Sequence, residues 1–275
     1  MENTTPHESE KLDAYECLNR FRAPQLRNII EAIDIPEGTL GLDAGCGTGF
    51  ITALLAERSR KPGMLIGMDI SERRICHARN TYFAGNVSFI RGDVNSLQFR
   101  DRVFDWIWCM DTVWPGPREF GCLAEDPTEI MHEFYRVLKP GGSLFLLYWS
   151  SQKFLPGYPL LESRMNATTS ANAPFTEGMS PYNHMMNAEL WLREAGYHET
   201  TVHTFVANVK SPLNSNDRNA MQILMQMLWG ESMSDLRGED RELFMSISNP
   251  ESDNYLFMNR NYYGFYSYTL FRATK

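Results

Sequence analysis

A glycine-rich turn between a short apolar segment and a helical pattern constrains this chain more than any other feature. Gly45, Gly47 and Gly49 alternate in the segment TLGLDAGCGTGFITALLAERSR. The residues before the turn are typical of a strand, and those after it place apolar side chains on one helix face. Glycine allows the backbone to turn sharply and a ligand to lie against bare main chain. The turn is therefore the first candidate for a ligand site.

An acidic residue in the next strand narrows the class of ligand. Asp69 lies next to the last residue of the predicted strand MLIGMDI, 20 positions beyond Gly49. A carboxylate at this position is suited to gripping ribose hydroxyls in a nucleotide-binding α/β fold. A phosphate-binding P-loop requires a Lys after the glycines, which this segment lacks, and the dinucleotide fingerprint requires a third glycine where Phe50 stands. These two cofactor classes are disfavoured.

Strand and helix patterns alternate from residue 40 to residue 150. After the first strand we predict strands at 64–70, 87–93, 103–111 and 143–149, with helices between them that include one starting at Ser71 and one at 127–138. Such alternation predicts a parallel sheet covered on both faces. Elsewhere the pattern predicts helices at 10–34, 185–197, 215–230 and 239–248, strands at 198–209 and 262–273, and a loop or lid over 151–182.

Several motifs in register resemble one enzyme family. The segment LDAGCGTG, the strand-end Asp69, the segment Gly92-Asp93-Val94 and the runs FDWIWCMD and FYRVLKPGGSLFLL occur in the order typical of class I S-adenosylmethionine-dependent methyltransferases. The helix and LKPGG turn resemble the small-molecule branch that includes the ubiquinone and menaquinone biosynthesis methyltransferases. The resemblance covers residues from about 38 to 150.

The resemblance implies a fold and a division of the chain. We expect an α/β, Rossmann-like, seven-stranded and mostly parallel sheet with helices on both faces, an antiparallel last strand and helical lid insertions. Residues 1–275 are interpreted as a single methyltransferase domain. Within it we expect an N-terminal helical cover at 1–37, a cofactor-binding core at 38–150, acceptor-side lid segments at 151–184 and 210–260, and the last strand at 262–275.

The same resemblance implies S-adenosyl-L-methionine as cofactor and S-adenosyl-L-homocysteine as its product. The glycine turn would shape the pocket around the methionine part of the cofactor through Gly45, Cys46, Gly47 and Gly49. Asp43, two residues before the turn, would assist through water.

The resemblance assigns the remaining cofactor contacts to residues at the ends of the second and third strands. Asp69 would hold the ribose, and Ile70 would pack against the adenine ring. Asp93 with Val94 would read the adenine edge. The alternative is that the glycines form only a tight turn between strand and helix and bind no ligand. The acidic residues at the ends of two successive strands disfavour this alternative.

Two residues are candidates for catalysis. Asp111 ends the fourth strand, which in relatives faces the methyl-transfer region; it could act in catalysis, orient the cofactor or cap the following turn. His184 lies between the predicted lid and a helix, and it is the best-placed candidate base, with a surface or capping histidine as the alternative. From Asp111 onward the sequence reads DTVW. The Asn/Asp-Pro-Pro-Tyr/Phe signature of amino-methylating enzymes is therefore absent at the end of the fourth strand.

Composition limits the partners and the location. The net charge is −8, from 26 basic and 34 acidic residues, and no dense basic run occurs, so nucleic acid is not an expected partner. No apolar stretch reaches the roughly 18 residues of a membrane span, and the polar start of the chain does not resemble a signal peptide. Five cysteines without a CxxC pair indicate reduced thiols and a cytoplasmic location. No metal site is predicted.

The second half of the chain bears on the methyl acceptor. Ten of the 15 methionines follow residue 150, and methionine suits adaptable apolar binding surfaces. We therefore expect a small organic acceptor, apolar or aromatic, although the same stripes could bury helices against the sheet or form a homodimer contact. The alternatives are a methyltransferase acting on a protein or RNA, a non-catalytic cofactor-binding regulator, and an NAD-dependent oxidoreductase, the last disfavoured by Phe50.

Overall fold

The computed structural model describes residues 6–58, 63–83, 85–116, 122–123, 126–172 and 179–275, with side chains other than those of 6–11, 170, 231 and 232. Parts of the predicted cover, core and first lid segment lie outside the described residues, namely 1–5, 59–62, 84, 117–121, 124–125 and 173–178. No helix within the described ranges combines the length and the apolar character needed to cross a bilayer.

Seven strands form one sheet in the order β3-β2-β1-β4-β5-β7-β6. The first four pairings in this order, from β3 through to β5, are parallel. Strand β7 is antiparallel to β5: beside the start of β5, the N–H of Gly141 donates to the carbonyl of Lys275 and the N–H of Lys275 donates to the carbonyl of Gly142, directly after the end of β7. The strands are β1 Leu40–Ala44, β2 Met64–Asp69, β3 Val87–Arg91, β4 Phe104–Met110, β5 Leu138–Lys153, β6 His198–Lys210 and β7 Tyr263–Thr274. The predicted fold class is confirmed.

Two helices begin where sequence signals place them. Ser71 caps α3 by accepting the N–H of Arg74 at 3.4 Å, and Asp126 caps α4, whose first residue is Pro127. The helices are α1 Pro6–Ala32, α2 Phe50–Arg58, α3 Glu72–Thr81, α4 Pro127–Val137, α5 Pro159–Met165, α6 Thr169–Asn172, α7 Ala188–Glu194, α8 Ser215–Trp229 and α9 Gly238–Ser248.

Two predicted segments differ most from the structure. Strand β5 begins at Leu138 rather than 143, because Lys139–Gly142 form an irregularity within the strand and the register with β4 resumes at Trp106↔Ser143. The segment 151–182, predicted as a loop or lid, contains the end of β5 and the helices α5 and α6, so it is not simply a loop. Their short length leaves little periodicity in the sequence.

The chain divides into two compact units. Unit 2 comprises Pro24–Ser150, Glu177–Phe205 and Tyr268–Lys275. Its larger core cluster packs the apolar faces of α4 and α7 against the sheet, with Phe134, Trp191 and Leu146 fully buried. A smaller cluster joins α3 and β3 through Ile75, Ala78 and Phe89.

Unit 1 comprises Met1–Ala23, Ser151–Thr176 and Val206–Ser267. In its interior Trp229 of α8 packs edge-on against Phe244 of α9 and donates its indole N–H to Asn166. Arg164 of α5 forms an ion pair of 2.6 Å with the largely buried Asp240 of α9. The residues of unit 1 coincide largely with the two predicted lid segments.

Candidate functional site

The predicted site residues of the core lie at the carboxyl ends of parallel strands. Strands β1, β2, β3 and β4 run in the same direction, and Asp43, Asp69 and Asp111 stand at or beside their last residues. The order of strands reverses between β1 and β4, which is the point where open α/β sheets bind ligands.

The main chain of the glycine turn is tied to the protein itself. Gly45 and Cys46 both donate their N–H to the carbonyl of Met68, at 2.8 and 2.9 Å, and Gly49 donates to the carbonyl of Cys46 at 3.0 Å. Gly47 donates to a side chain, the Oδ2 atom of Asp69, at 3.0 Å. A phosphate-binding loop directs free N–H groups at its ligand. Since these four donors are already bonded, the turn suits a ligand that packs on the main chain rather than a phosphate.

The three glycines are required for different reasons. Their φ angles are +84°, +55° and +88°, which disfavour any side chain. A Cβ at Gly45 would lie 2.1 Å from Oγ1 of Thr112, and one at Gly49 would lie 2.7 Å from the Cβ of Ala78. At Gly47 no atom of the described residues, apart from its two chain neighbours, lies within 4 Å of the Cβ position. Gly47 therefore presents bare main chain to open space, which is the surface a bound ligand requires.

Asp69 links the turn to the end of β2. Its Oδ2 atom accepts the N–H of Gly47, and its Oδ1 atom accepts the N–H of Ser71 at 2.9 Å. Arg74 lies 3.8 Å from Oδ2, and the side chain of Asp69 is only 7% exposed. A carboxylate oxygen can accept more than one hydrogen bond, so the fixed carboxylate retains capacity for a ligand hydroxyl.

Ile70 differs from its neighbours in exposure. Its side chain is 52% exposed directly after the buried Asp69, and its carbonyl accepts Nε of Arg91 at 3.1 Å. An exposed aliphatic side chain held by a bonded main chain is available to pack against a flat ring.

Asp43 and Cys46 are buried and point into the protein. The hydroxyl of Thr52 donates to Oδ2 of Asp43 at 2.6 Å, and burial raises the pKa of Asp43 to about 7 despite this bond. The side chain of Cys46 packs in the cluster formed by α3 and β3, and its burial raises the pKa of the thiol. Cys46 can contact a ligand at the turn through its main chain, not its sulfur.

Asp93 and Val94 follow β3. The Oδ1 atom of Asp93 accepts both the main-chain and side-chain N–H groups of Asn95, at 2.9 and 2.8 Å, and Val94 is 5% exposed. The N–H of Gly92 donates to the carbonyl of Asp69 at 3.1 Å. This bond joins the segment after β3 to the end of β2.

Asp111 occupies a left-handed backbone conformation, with φ at +46°. Its N–H donates to the carbonyl of Leu147, and its Oδ1 atom accepts the N–H of Trp149 at 2.7 Å. Asp111 thus links the end of β4 to β5 through one hydrogen bond of its main chain and one of its side chain. These contacts hold Asp111 at the end of β4, and the three roles considered from the sequence, in catalysis, in orienting the cofactor and in capping the following turn, stay predictions.

His184 lies between two short 3-10 turns, 181–183 and 185–187. Its Nδ1 atom accepts the N–H of Met186 at 3.2 Å, so the ring caps the second turn. Beside it, Tyr182 shares its hydroxyl with Thr128 and Glu194. The capping alternative for His184 has a contact in the structure, and its role as a base stays a prediction.

The sequence did not predict three contacts at this edge of the sheet. The side chain of Thr112 fills the space that the missing Cβ of Gly45 leaves, and its hydroxyl donates to the carbonyl of Met110 at 2.8 Å. Thr52 hydrogen-bonds Asp43 from the first turn of α2. Ser71, predicted only as a helix start, also holds Asp69 through its N–H. Each contact depends on segments distant in sequence or on loop geometry, so no local motif marks it.

The site fits an adenosyl cofactor without phosphates. It combines an open main-chain surface at Gly47, a fixed carboxylate at Asp69 and an exposed aliphatic side chain at Ile70. A family model described as "Methyltransferase domain" matches residues 36–207, which is more than half of the chain. The chain belongs to this family of methyltransferase domains. The predicted methyltransferase family is thereby confirmed.

Two curated relatives of this chain have the same name, demethylmenaquinone methyltransferase. A demethylmenaquinone methyltransferase of Shouchella clausii is 31% identical over 138 residues, covering 49% of this chain and 55% of the relative. One of Staphylococcus epidermidis is 29% identical over 151 residues, covering 54% of this chain and 59% of the relative. The chain therefore spans a little over half the length of the curated relatives it matches.

Solved structures share the fold at lower identity. The YcgJ protein of Bacillus subtilis superposes with a TM-score of 0.54 at 17% identity, covering 91% of this chain and 97% of that one. A structure titled a putative methyltransferase from Bacillus halodurans gives a TM-score of 0.52 at 18% identity, covering 91% and 98%. These similarities support the Rossmann-like architecture.

Proposed function

We propose that this protein transfers the methyl group of S-adenosylmethionine to a small organic acceptor. The observation that carries the proposal is the open main-chain surface at Gly47, bonded directly to the buried carboxylate of Asp69. A ligand lying on this surface would be within reach of a fixed hydrogen-bond acceptor without displacing any side chain.

The binding roles follow from the contacts of each residue. Asp69 would accept the ribose hydroxyls, since both its oxygens are held in place by N–H donors. Ile70 would cover one face of the adenine, and Asp93 with Val94 would meet its edge. The main chain of Gly45, Cys46 and Gly49 would shape the rest of the surface.

Asp43 would respond to the charge of the cofactor. Its pKa of about 7 comes from burial, and a cation nearby favours the ionised carboxylate. Asp43 would therefore supply a negative charge beneath the turn once a cationic ligand is bound. This is an electrostatic role, either direct or through a water molecule.

The reaction needs positioning more than new chemistry from the protein. The bound cofactor supplies a methyl group already activated on a sulfonium, and the chain must hold an acceptor about 3 Å from it and exclude water. Asp111, at the end of β4, and His184 remain the proposed catalytic candidates. The bonds of Asp111 to β5 favour a positioning role for this residue.

The acceptor is proposed to be small and apolar or aromatic. The curated relatives, which are demethylmenaquinone methyltransferases, support a small molecule. In unit 1, methionine side chains lie exposed at Met227, Met245 and Met258, and they suit an adaptable apolar surface. The segments 151–184 and 210–260 are proposed as the acceptor side. A cytoplasmic location, a homodimer and the absence of a nucleic-acid partner belong to the same proposal.

A binding and turnover experiment tests this function. Calorimetry with S-adenosylhomocysteine measures the site, and release of S-adenosylhomocysteine from S-adenosylmethionine measures turnover with small quinols and phenols, total RNA and a mixed peptide pool. We expect binding, and turnover with a small apolar acceptor only. Turnover with RNA or peptide would replace the proposed acceptor, binding without any turnover would support a regulator, and no binding would remove the function.

The variant Gly47→Val provides the matched control for that experiment. Its side chain would occupy the open space at the turn, so binding and turnover should both disappear while the folded core persists. Turnover that survives in Gly47→Val would come from a contaminating enzyme or from a different site.

A further inference from the structure

Unit 1 contains a cavity formed entirely by its own residues, with a volume of about 380 Å³. The cavity is lined by the end of β5, the loop after it, helix α5 and the start of β7. Its lining residues include Lys153, Leu155, Glu162, Tyr263 and Phe265. Pockets of this size hold small organic ligands in other proteins. Its residues have no part in the cofactor site described above.

The cavity contains a buried carboxylate. The side chain of Glu162 is only 3% exposed. Its Oε1 atom accepts the N–H groups of Phe154 and Leu155, at 2.7 and 3.4 Å. The hydroxyl of Tyr262 donates to the carbonyl of Phe154, which fixes this loop from its other side. Glu162 is therefore a negative charge that cannot move into water without breaking the loop.

The counter-charge of Glu162 is much less firmly held. Lys153 Nζ lies 3.5 Å from Oε2 of Glu162, at the far end of the hydrogen-bonding range, and its side chain is 53% exposed. A half-exposed lysine on a flexible stem can turn into solvent at little cost. A buried carboxylate left without a cation is unfavourable. The pair thus offers a fixed anionic position whose cation can be exchanged.

The other walls of the cavity suit an apolar body beside a positive charge. Tyr263 and Phe265 are among the residues that line the cavity, and both carry aromatic rings. The hydroxyl of Tyr263 donates to Oδ1 of Asn208 at 2.8 Å, which fixes a ring that is half-exposed. Aromatic faces attract cations electrostatically, and amine recognition commonly combines them with a carboxylate.

We propose that this cavity binds a small organic cation, an amine or quaternary ammonium on a compact apolar or aromatic body. Its positive group would take the place of Lys153 Nζ beside Oε2 of Glu162, and its body would lie against Tyr263 and Phe265. The inference does not depend on the proposed methyl transfer. It holds for an amine that is itself methylated and for one that binds without being methylated.

Three probes with the same ring separate charge from apolar contact: 2-phenylethylamine, 2-phenylethanol and 3-phenylpropionate. Binding is measured by calorimetry and by ligand-observed NMR on the full chain without cofactor. We expect 2-phenylethylamine to bind at least tenfold more tightly than the other two compounds. Equal binding of all three, preference for the carboxylate, or binding of none would overturn the proposal.

Two substitutions assign the site. Lys153→Met removes the competing cation and should strengthen amine binding by about threefold to tenfold, whereas a site for anions would lose affinity in this variant. Glu162→Gln keeps an acceptor for the Phe154 N–H and should abolish the preference for the amine. If Glu162→Gln fails to fold, Lys153→Met still decides between the two signs of charge, because its side chain is half in solvent. Unchanged amine affinity in Lys153→Met would contradict the site.

One further measurement separates the two sources of such a ligand. Added S-adenosylmethionine either converts the amine to its methylated product, detected by mass spectrometry, or leaves it unchanged. Conversion identifies the amine as a methyl acceptor, and its absence identifies a second ligand; both outcomes keep the binding site. A failure of amine binding with intact S-adenosylhomocysteine binding would remove this inference and leave the proposed function standing.

Discussion

The N–H of Gly47 donates to Oδ2 of Asp69 over 3.0 Å, so the glycine turn after β1 and the acid at the end of β2 form one unit. The two residues are predicted from the sequence as separate contacts of the same cofactor. Their bond means that a substitution at Asp69 removes a ligand contact and also frees the N–H that holds the turn in place.

Asp69→Ala should weaken binding of S-adenosylhomocysteine by about 1.5–3 kcal/mol, the usual value of hydrogen bonds to a charged partner. This corresponds to roughly a tenfold to 150-fold loss of affinity. Calorimetry provides the measurement, and Asp101→Ala, whose side chain is 70% exposed, provides the control. An affinity unchanged in Asp69→Ala would remove this residue from the site.

Gly47→Ala and Gly141→Ala form a matched pair. Both glycines have a positive φ, +55° and +76°, and apart from the chain neighbours neither Cβ would lie within 4 Å of an atom in the part of the chain that the structure describes. Both substitutions should therefore destabilise the fold by a similar amount, about 1–2 kcal/mol. Only Gly47→Ala should also weaken cofactor binding. A thermal unfolding curve first shows that each variant is folded, and calorimetry on a separate folded sample then measures the affinity for the cofactor. Equal affinities of the two variants would show that the turn has no ligand role.

Asp43 should make stability depend on pH. Burial raises its pKa in the folded state from 3.8 to about 7, so the folded state keeps a proton that the unfolded state releases. The free energy of unfolding should therefore fall as the pH rises from about 4 to about 7, by at most about 4 kcal/mol.

The variant Asp43→Asn isolates this contribution, because its side-chain oxygen can still accept the hydroxyl of Thr52. Urea unfolding at pH 5 and pH 7.5 should give a smaller decrease for Asp43→Asn than for the wild-type protein. Parallel pH profiles of the two proteins would assign the dependence to other groups.

Asp111→Asn and Asp111→Ala should differ in stability. Asparagine tolerates the left-handed conformation and can accept the N–H of Trp149, so Asp111→Asn should stay within about 0.5 kcal/mol of wild type. Asp111→Ala loses the bond to a charged group and should cost about 1.5–3 kcal/mol. Denaturant unfolding measures both. A large loss of turnover in a stable Asp111→Asn with unchanged cofactor affinity would instead assign the carboxylate a catalytic role.

Trp106→Phe and Trp108→Phe test two buried indoles of β4. Nε1 of Trp106 donates to Oγ1 of Thr39 at 3.1 Å, whereas Nε1 of Trp108 has no hydrogen-bond partner among the described residues. Both substitutions remove similar volume, but only Trp106→Phe breaks a bond. It should be more destabilising by about 1 kcal/mol in chemical denaturation. The reverse order would indicate an acceptor for Trp108 outside the described residues.

Much of the predicted cofactor-binding core, residues 38–150, could be predicted because the sequence patterns that specify it are local. The strand before the glycine turn, the cap at Ser71 and Pro127 at the start of α4 each lie within a few residues of the structure they specify. Where a signal depended on pairing between strands, prediction was less complete. The early start of β5 at Leu138 results from its register with β4, and helices α5 and α6 are too short to produce a clear period.

The sequence by itself determined the alternation of strands and helices, the family motifs and the residues at each strand end, because glycine conformation, helix capping and hydrophobic period are properties of short segments. Only the tertiary structure decided how those residues act on one another. The Gly47–Asp69 bond, the packing of Thr112 at Gly45 and the burial that raises the pKa of Asp43 join segments distant along the chain. The pairing of Lys153 with Glu162 beside the aromatic rings of β7 arises in the same way. Such contacts depend on distance and exclusion of water, which no local pattern specifies.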